Sequence, residues 1–466
     1  MNNLKTTQLQ TFVFFPAITM LLGWGLRGHI GGGPFGAMIP GAMIALSLAM
    51  LLKLPFNMAA LLSVFSVVGI GLGGEMTYGQ TLGFLRNPET VWWGTFGTSV
   101  KGGVWGLTGG AFIALGLLAS RLDKNRIFIA LALFLAGMLL GFKLINQPML
   151  LYFSNPENPR PESWGALLLG SLAALGYLKL KLDKLQFRLV YRFAVIGTIG
   201  GALGFGLGGF FIVLGAVLPP VVFTGWWKAM EFTLGLLLGG ALGYAAWWNR
   251  HYIIALRDVT SEPDTYSKKW HLPAVFVTIA VGLIIYLILP SLLDPIVEAG
   301  KMNTGFSMIG ARDFAIIFSN YAFFGLIMIA VSYTYKPSAW YIAIVLTFFH
   351  ASIDLIRDYY PMQDPDVFRT ARVGFELLLA APVLLLTTII LNGNRVVYQL
   401  FLLLVWSTVV VSLMRMGLHP ELFQIKGLSL MELLFRRFWV DLSFITAAVI
   451  STYYAIRLNR TSTFLL

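Results

Sequence analysis

Residues 35–52 read FGAMIPGAMIALSLAMLL, eighteen positions without a charged side chain. A helix of about 20 residues is long enough to cross the hydrocarbon core of a bilayer, which is roughly 30 Å thick. Comparable apolar runs recur along the whole chain. Backbone amides in lipid must find partners within the protein, and these runs lack the polar–apolar alternation of β-barrel strands. The sequence therefore predicts an all-α, polytopic bundle of membrane helices.

The composition of the chain supports the same class. Of its 466 residues, 57% are hydrophobic and 12% are charged, whereas soluble domains carry about 25% charged residues. So few charges cannot cover a water-facing surface. The chain has no cysteine, which excludes disulfides, thiolate nucleophiles and thiolate-bound metals. The sequence implies no cofactor and no metal ion, and the first apolar run is predicted to be an uncleaved span because no small-residue cleavage site follows it.

Hydropathy and charge together predict the topology. About fourteen spans are expected, which puts both termini on one side of the membrane. That side holds 18 of the 33 Lys and Arg residues and five of the 21 acidic residues, so the positive-inside rule makes it cytoplasmic. The net charge of +12 then follows from topology and requires no nucleic-acid partner. Compact loops favour a multi-pass protein of a bacterial inner (plasma) membrane. The predicted spans lie near residues 10–26, 35–53, 56–74, 94–119, 127–145, 164–181, 190–218, 226–248, 272–293, 312–333, 338–357, 371–391, 396–415 and 434–456.

The first half of the chain contains a candidate internal repeat. Four segments align without gaps, each on the second helix of a predicted hairpin, at residues 41–47, 110–116, 170–176 and 240–246. Four parallel, Gly-rich helical hairpins are one of the ways in which transporters are built. The alternative is that Gly-rich helices resemble one another by composition alone. We predict a Gly-rich repeat region at 1–250, a cytoplasmic linker at 251–271 and a charged six-helix membrane region at 272–466.

The 49 glycines have two interpretations. Small residues permit close packing of helices in lipid, and glycines at every fourth position predict such interfaces at 200–208 and 235–243. The clusters at 25–33 and 71–74 are denser than packing requires. Gly31-Gly32-Gly33-Pro34 predicts a helix break, because glycine and proline both disfavour helix. Free amides at the break would recognise an anion or a carbonyl group of a ligand. The alternative is that the break is a plain loop.

Charged residues concentrate at the predicted outer ends of the helices. His350 and Asp354 lie deepest, and Glu376 begins the next span. An ionised group in hydrocarbon costs about 3 kcal/mol even on insertion scales, so these groups must face protein, water or one another. We predict His350, Asp354 and Glu376 as catalytic residues; the alternative is that outer charges only snorkel to the interface or pair between helices. The predicted substrate-binding residues are Arg27, His29, Glu75, Lys101, Lys228, Glu231, Arg357, Arg372, Arg415, Arg436, Arg437 and Asp441.

Three functional hypotheses remain, because the sequence contains no Walker loop, dinucleotide fingerprint or Gly-x-Ser-x-Gly elbow. The first is a secondary transporter or flippase with an outward-facing polar cavity for an anionic small molecule or a lipid-linked substrate, with acids and His350 carrying coupling protons. The second is a membrane-embedded transferase or hydrolase that acts on a lipid-linked or periplasmic substrate at the outer leaflet, with Asp354 or His350 as general base. The third is a structural or assembly subunit. Parallel hairpins favour transport, and one-sided polarity favours the enzyme.

Overall fold

The structure is a computed structural model, and the residues that it describes are mostly helical, joined by turns and loops. Those residues are 2–29, 32–218, 225–259, 272–283, 321–348, 381–415 and 438–460, and they contain no strand. The all-helical prediction is therefore confirmed for this part of the chain. The helices are α1 (Asn2–His29), α2 (Gly33–Leu51), α3 (Phe56–Gly73), α4 (Gly79–Gly83), α5 (Val91–Leu118), α6 (Lys124–Gly141), α7 (Trp164–Lys181), α8 (Lys184–Val217), α9 (Trp226–Val259), α10 (Leu272–Leu283), α11 (Tyr321–Thr334), α12 (Pro337–Leu346), α13 (Ala381–Leu391), α14 (Val396–Arg415) and α15 (Trp439–Arg460).

Several helices have the length and apolar composition of membrane spans. In the described part of the chain there are nine of them, namely α1, α2, α3, α5, α6, α8, α9, α14 and α15. They make the chain a multi-pass helical membrane protein. The shorter apolar helices α10 to α13 and the helix α7 also fall at predicted spans. The count of fourteen spans and the side on which the termini lie stay predictions.

The longest helices extend beyond the predicted spans. α8 and α9 have 34 residues each, which corresponds to about 50 Å of helix. Hydropathy detects only the apolar part of such a helix. The helix itself continues through polar residues on either side, where capping or packing stabilises its backbone. At the start of α8, the Asp183 carboxylate accepts hydrogen bonds from the Leu185 and Gln186 amides at 2.8 and 2.9 Å, which caps the helix. α9 runs past residue 250 into the predicted linker.

Six helices pack side by side in a closed order. α1 packs on α2, α2 on α3, α3 on α5, α5 on α8, α8 on α9, and α9 returns to α1. We call these six helices the helix ring. α11 covers α3, while α14 and α15 lie against α1 and α2, so that α2 and α3 are almost entirely buried. The α6–α7 hairpin packs on α5 from outside. The two helices of each predicted hairpin are in contact, but their relation as repeats stays a prediction.

Glycines form the closest contacts in the helix ring. On α5, a Cβ at Gly106 would lie 1.8 Å from the Gly197 carbonyl oxygen of α8. The stripe at Gly200, Gly204 and Gly208 faces α9, and the stripe at Gly235, Gly239 and Gly243 faces α1, again with less room than a methyl group needs. The prediction that these stripes are packing interfaces is confirmed. Close approach is favoured because helices in lipid associate by van der Waals packing.

Alanine at Gly106 is expected to destabilise the fold. The added methyl group would force α5 and α8 apart, and overpacking of this kind costs about 1–3 kcal/mol. Gly176→Ala in α7 is the matched control, because nothing lies within 4 Å of a Cβ there and alanine is the better helix former. In thermal unfolding of the detergent-purified chain, only Gly106→Ala should lower the midpoint. Equal midpoints for the two variants would contradict the close approach of α5 and α8.

The predicted break between the first two spans is present. α1 ends at His29, and α2 begins at Gly33 with Pro34 in its first turn. Gly32 and Gly33 have φ values of 78° and 63°, a conformation that residues with a Cβ rarely adopt. The turn lies against the end of α3, where a Cβ at Gly74 would be 2.4 Å from the Gly33 carbonyl oxygen. The two Gly-rich clusters of the sequence therefore meet at one end of the ring.

Close packing explains several glycines of these clusters, whereas Gly32 and Gly33 are explained by their positive φ and not by packing. A Cβ at several of their glycines would lie 2.5 Å or less from a neighbouring side chain. The sequence cannot show this, because each neighbour comes from a distant helix. The glycines and the side chains that they accommodate are Gly25 with Phe232, Gly28 with Glu231, Gly71 with Tyr321 and Gly73 with Trp105.

The outer surface of the ring is apolar. α8 exposes Ile199, Leu203, Leu207 and Leu214, one or two turns apart along a single helix. Large apolar side chains exposed in this way are unfavourable in water. They are the expected surface of a helix that faces lipid.

Candidate functional site

The described residues include about half of the predicted site. Seven of the fifteen residues have described side chains: Arg27, His29, Glu75, Lys101, Lys228, Glu231 and Asp441. The three residues predicted as catalytic, His350, Asp354 and Glu376, lie outside the described residues, and so do Arg357, Arg372, Arg436, Arg437 and the side chain of Arg415. Their roles stay predictions.

Arg27 is a buried cation in the last turn of α1. It is 1% exposed. Its guanidinium carbon lies 4.9 Å from the ring centre of Trp105 in α5 and 5.2 Å from that of Tyr78, and its Nη1 donates a hydrogen bond to the Tyr78 hydroxyl. Contacts between a desolvated cation and an aromatic face are worth about 2 kcal/mol. The Arg27 guanidinium thus lies beside two aromatic rings that also contact each other, with centroids 6.4 Å apart.

Tyr78 connects Arg27 to the rest of the ring. It follows α3, and its ring stacks on Trp227 at the start of α9, with centroids 6.2 Å apart, and meets Phe205 of α8 edge-on at 5.2 Å. Burial raises the pKa of the Tyr78 hydroxyl, while the positive charge of Arg27 lowers it. The hydroxyl therefore stays protonated at neutral pH and accepts the Arg27 hydrogen bond without neutralising its charge.

Glu231 and Lys228 form an ion pair one turn into α9. The Glu231 carboxylate accepts hydrogen bonds from Lys228 Nζ at 2.7 Å and from the Trp227 indole at 2.8 Å, and it is fully buried. Lys228 also donates to the Gly25 carbonyl at 3.2 Å. A Cβ at Gly28 would lie 1.7 Å from the carboxylate, so a larger residue there would displace the Glu231 carboxylate. α1 and α9 meet through this pair.

These contacts define one cluster at the predicted outer end of the ring. We call Arg27, Tyr78, Trp105, Trp227, Lys228 and Glu231 the Arg27 cluster. Among the described residues, Arg27 makes its one hydrogen bond with Tyr78, its Nε has no partner, and it forms no ion pair. A guanidinium has five N–H donors, and an unpaired charge is costly in a low-polarity interior. The cluster has the chemistry of a site for an anionic group.

Lys101 belongs to a separate, fully satisfied clamp. Its ammonium donates at 2.7 Å to the Thr77 carbonyl, the Thr81 hydroxyl and the Glu162 carboxylate. The Glu162 carboxylate also accepts from the Phe153 amide and from side chains of Ser154 and Trp164. All three ammonium hydrogens are used within the protein, so the geometry supports a positioning role. Substrate binding by Lys101 stays a prediction.

Glu75 lies two residues beyond the end of α3. Its carboxylate oxygen accepts a hydrogen bond from the Tyr321 backbone amide of α11, and its carbonyl accepts one from the Ser163 hydroxyl at 2.9 Å. Although the residue is half-buried overall, burial of its carboxyl raises the pKa of Glu75 to about 8, because low-polarity surroundings disfavour the charged form. At neutral pH this carboxyl carries a proton.

His29 lies against α14 and α15, and Asp441 belongs to α15. His29 Nδ1 is 3.2 Å from the Ser412 hydroxyl, and the imidazole ring packs on Phe444 with centroids 5.2 Å apart. Asp441 is in the first turn of α15 and is 4% exposed. The structure therefore places the predicted residues of the first half near one end of the ring. It divides them among the Arg27 cluster, the Lys101 clamp and the side of α1 that faces α14 and α15.

Sequence reasoning missed Tyr78, Trp105, Trp227 and Glu162. Two of them carried a signal. Trp227 belongs to a tryptophan pair that opens a predicted span, and Glu162 is an acid just before the start of α7. No local pattern connects Tyr78 or Trp105 with Arg27, because they belong to other segments of the chain.

Comparisons of this chain with protein-family models, with curated proteins and with solved structures found no match.

Proposed function

We propose that this chain is a secondary transporter or flippase that binds an anionic group of its substrate at Arg27. The observation that carries the proposal is the buried Arg27 guanidinium, which has one hydrogen bond and no ion pair among the described residues. Removing such a charge from water costs several kcal/mol. A carboxylate or phosphate accepts two parallel hydrogen bonds from a guanidinium, which would offset that cost.

The surroundings of Arg27 favour a substrate with both an anionic and a flat or ring-shaped part. Trp105, Tyr78 and Trp227 supply aromatic faces next to the cation. Lys228 and Glu231 balance each other's charge, so Arg27 leaves these groups with a net charge of +1. This set suits a small organic anion or the sugar-phosphate part of a lipid-linked substrate.

Proton coupling is the role that we propose for Glu75. With a pKa of about 8, its carboxyl exchanges a proton near neutral pH. It lies at the same end of the ring as Gly33 and Gly74, next to the turn that covers Arg27. Protonation there would therefore change the charge beside the anion site.

The space among the described residues favours transport. Arg27 is 1% exposed and lies against packed aromatic side chains, whereas a cavity of about 520 Å³ lies at the other end of α2 and α3. A carrier alternates between states that open to either side, and a buried anion site with space at the opposite end is the arrangement expected of one of them.

Cysteine labelling tests this proposal, and the natural chain has no cysteine to interfere. Phe205→Cys would place a thiol next to Tyr78. If the site alternates, a membrane-impermeant maleimide should label this thiol both in intact cells and in inside-out vesicles. Labelling from the outer face alone would contradict transport and favour the enzyme, and no labelling from either face would contradict both.

Single-cysteine variants on each face are the controls. Glu89→Cys lies in an exposed turn at the predicted outer face, and Lys124→Cys lies at the predicted cytoplasmic face. Each should react from one side only, on opposite sides of the membrane. A thermal-unfolding midpoint close to that of the natural chain verifies that the Phe205→Cys protein is folded.

A further inference from the structure

A second feature of the molecule is the cavity at the predicted cytoplasmic ends of α2 and α3. It has a volume of about 520 Å³ and is bounded by the α2–α3 turn, the turn before α14 and the end of α15. Small-molecule sites have volumes of about 300–1,000 Å³. The cavity is separate from the Arg27 cluster, which lies at the other end of these helices.

The charged groups that line this cavity are all basic. Among the described residues, Lys53 and Arg395 both line it, no acidic residue does, and the remaining polar side chains are uncharged. The uncharged polar lining residues are Asn392, Asn394, Asn459 and Tyr398. Two cations that line one cavity attract anions, and amide and hydroxyl groups add hydrogen-bond donors.

The backbone at the cavity adds further donors. α3 begins at Phe56, and its preceding residue, Pro55, provides no side-chain cap. α14 begins at Val396, directly after Arg395. The first amides of a helix have no partner within the helix and carry a partial positive charge. Both helix starts contribute lining residues, so they reinforce the effect of the two bases.

Lys53 is held at the wall of the cavity. Its backbone has φ 51°, and its ammonium donates a hydrogen bond to the Leu458 carbonyl in the last turns of α15. An ammonium has three donors, so two remain for a ligand. The Lys53 and Arg395 side chains are exposed, and an anion can reach them from the aqueous side or from the lipid headgroup layer.

We infer that this cavity binds a phosphate group, which belongs either to soluble phosphate or to the headgroup of an anionic lipid. The inference does not depend on the proposed function, because it uses none of the residues of the Arg27 cluster. Lys53 and Arg395 contact the phosphate oxygens, and the Asn and Tyr side chains together with the first amides of α3 and α14 supply neutral donors.

Binding to the purified full-length chain tests the inference. The probes are radiolabelled inorganic phosphate in equilibrium dialysis, and dioleoyl phosphatidic acid compared with dioleoyl phosphatidylcholine in native mass spectrometry. Lys53→Gln/Arg395→Gln should bind the preferred probe about a hundredfold more weakly, because each of the two lost charged hydrogen bonds weakens binding about tenfold. The matched control is Lys124→Gln/Lys184→Gln, which removes two exposed bases from the same predicted face but outside the cavity and should bind like the natural chain.

The outcomes distinguish soluble phosphate from a lipid headgroup, and they distinguish the cavity from the Arg27 cluster. Saturable phosphate binding supports a soluble ligand, and selective retention of phosphatidic acid supports a headgroup. Arg27→Gln should keep this binding, which distinguishes the cavity from the proposed transport site. If the natural chain binds neither probe, or if both double variants lose binding equally, the inference is wrong. Should Lys53→Gln/Arg395→Gln fail to fold, Lys53→Arg/Arg395→Lys, which keeps both charges, must retain binding.

Discussion

Arg27→Gln is expected to abolish binding of the substrate anion while the protein stays folded. Removing one partner of a buried charged interaction costs about 2–5 kcal/mol of binding free energy, which corresponds to a loss of affinity of about 30-fold or more. The folded chain itself should not suffer, because Arg27 is a buried cation without an ion pair among the described residues. Replacing it with a neutral side chain removes a desolvation cost, so the unfolding temperature should stay or rise.

The measurement is uptake of anions into proteoliposomes together with thermal unfolding. Inorganic phosphate, a dicarboxylate and a lipid-linked sugar phosphate are compared. The comparison is made in the Lys53→Gln/Arg395→Gln background, so that binding in the cytoplasmic cavity does not contribute. Arg27→Lys is the control variant. It keeps the charge but loses the planar fork and its stacking on Trp105 and Tyr78, and it should retain partial uptake.

An opposite result would assign Arg27 a structural role. If Arg27→Gln and Arg27→Lys both unfold at much lower temperature, the guanidinium serves to hold Tyr78 and Trp105 together. The observation that carries the proposed function would then have another explanation. Normal uptake of every anion by a stable Arg27→Gln protein would contradict substrate binding at this residue.

Lys101→Met is expected to be the most destabilising single change in the described part of the ring. The Lys101–Glu162 pair is almost fully buried, with a 2.7 Å contact, and breaking a buried pair by removing one partner costs about 3–5 kcal/mol. The lost ammonium also releases the Thr77 carbonyl and the Thr81 hydroxyl. Because Thr77 precedes Tyr78, the Arg27 cluster should loosen as well. Chemical denaturation of the purified chain measures the change in free energy of unfolding.

A double-mutant cycle separates the ion pair from its surroundings. Lys101→Met/Glu162→Gln should be more stable than the sum of its single changes predicts, by about 1–3 kcal/mol, because residues in direct contact couple. Asp258→Asn is the control. Its ion pair with Arg257 is exposed on the acid side, and an exposed pair is worth about 0–1 kcal/mol. Additive effects of Lys101→Met and Glu162→Gln would contradict a buried clamp.

The two sites differ in how their charges are satisfied. In the Lys101 clamp, each donor of the cation has an acceptor in the protein, so the clamp fixes the segment before α7 to the end of α3 and to α5. In the Arg27 cluster, the cation is enclosed by rings that stabilise it without neutralising it. Both sets of charges are buried, and the sequence places both at helix ends. Their hydrogen bonds show that the Lys101 clamp holds segments of the protein together and that the Arg27 cluster has donors left for a ligand.

The individual residues of the candidate site were partly predictable. Arg27, Lys228 and Glu231 stand out as charged residues in apolar surroundings, since such placement is costly. Their partners were not predictable. The Tyr78 hydroxyl that contacts Arg27 is 51 residues away, and the Glu162 carboxylate that holds Lys101 is 61 residues away. Both lie in segments whose own sequence does not indicate what they contact.

The local properties of the chain could be derived from its amino acids alone. Whether a window of about 20 residues enters a bilayer depends on the residues in that window, and the break at Gly32-Gly33-Pro34 follows from the backbone preferences of those three residues. The order of the helices in the ring, the pairing of Gly106 with Gly197 and the surroundings of Arg27 depended on how distant helices pack. Which residues contact each other across helices depends on the whole fold, because each contact forms only after the helices that carry both partners are in place.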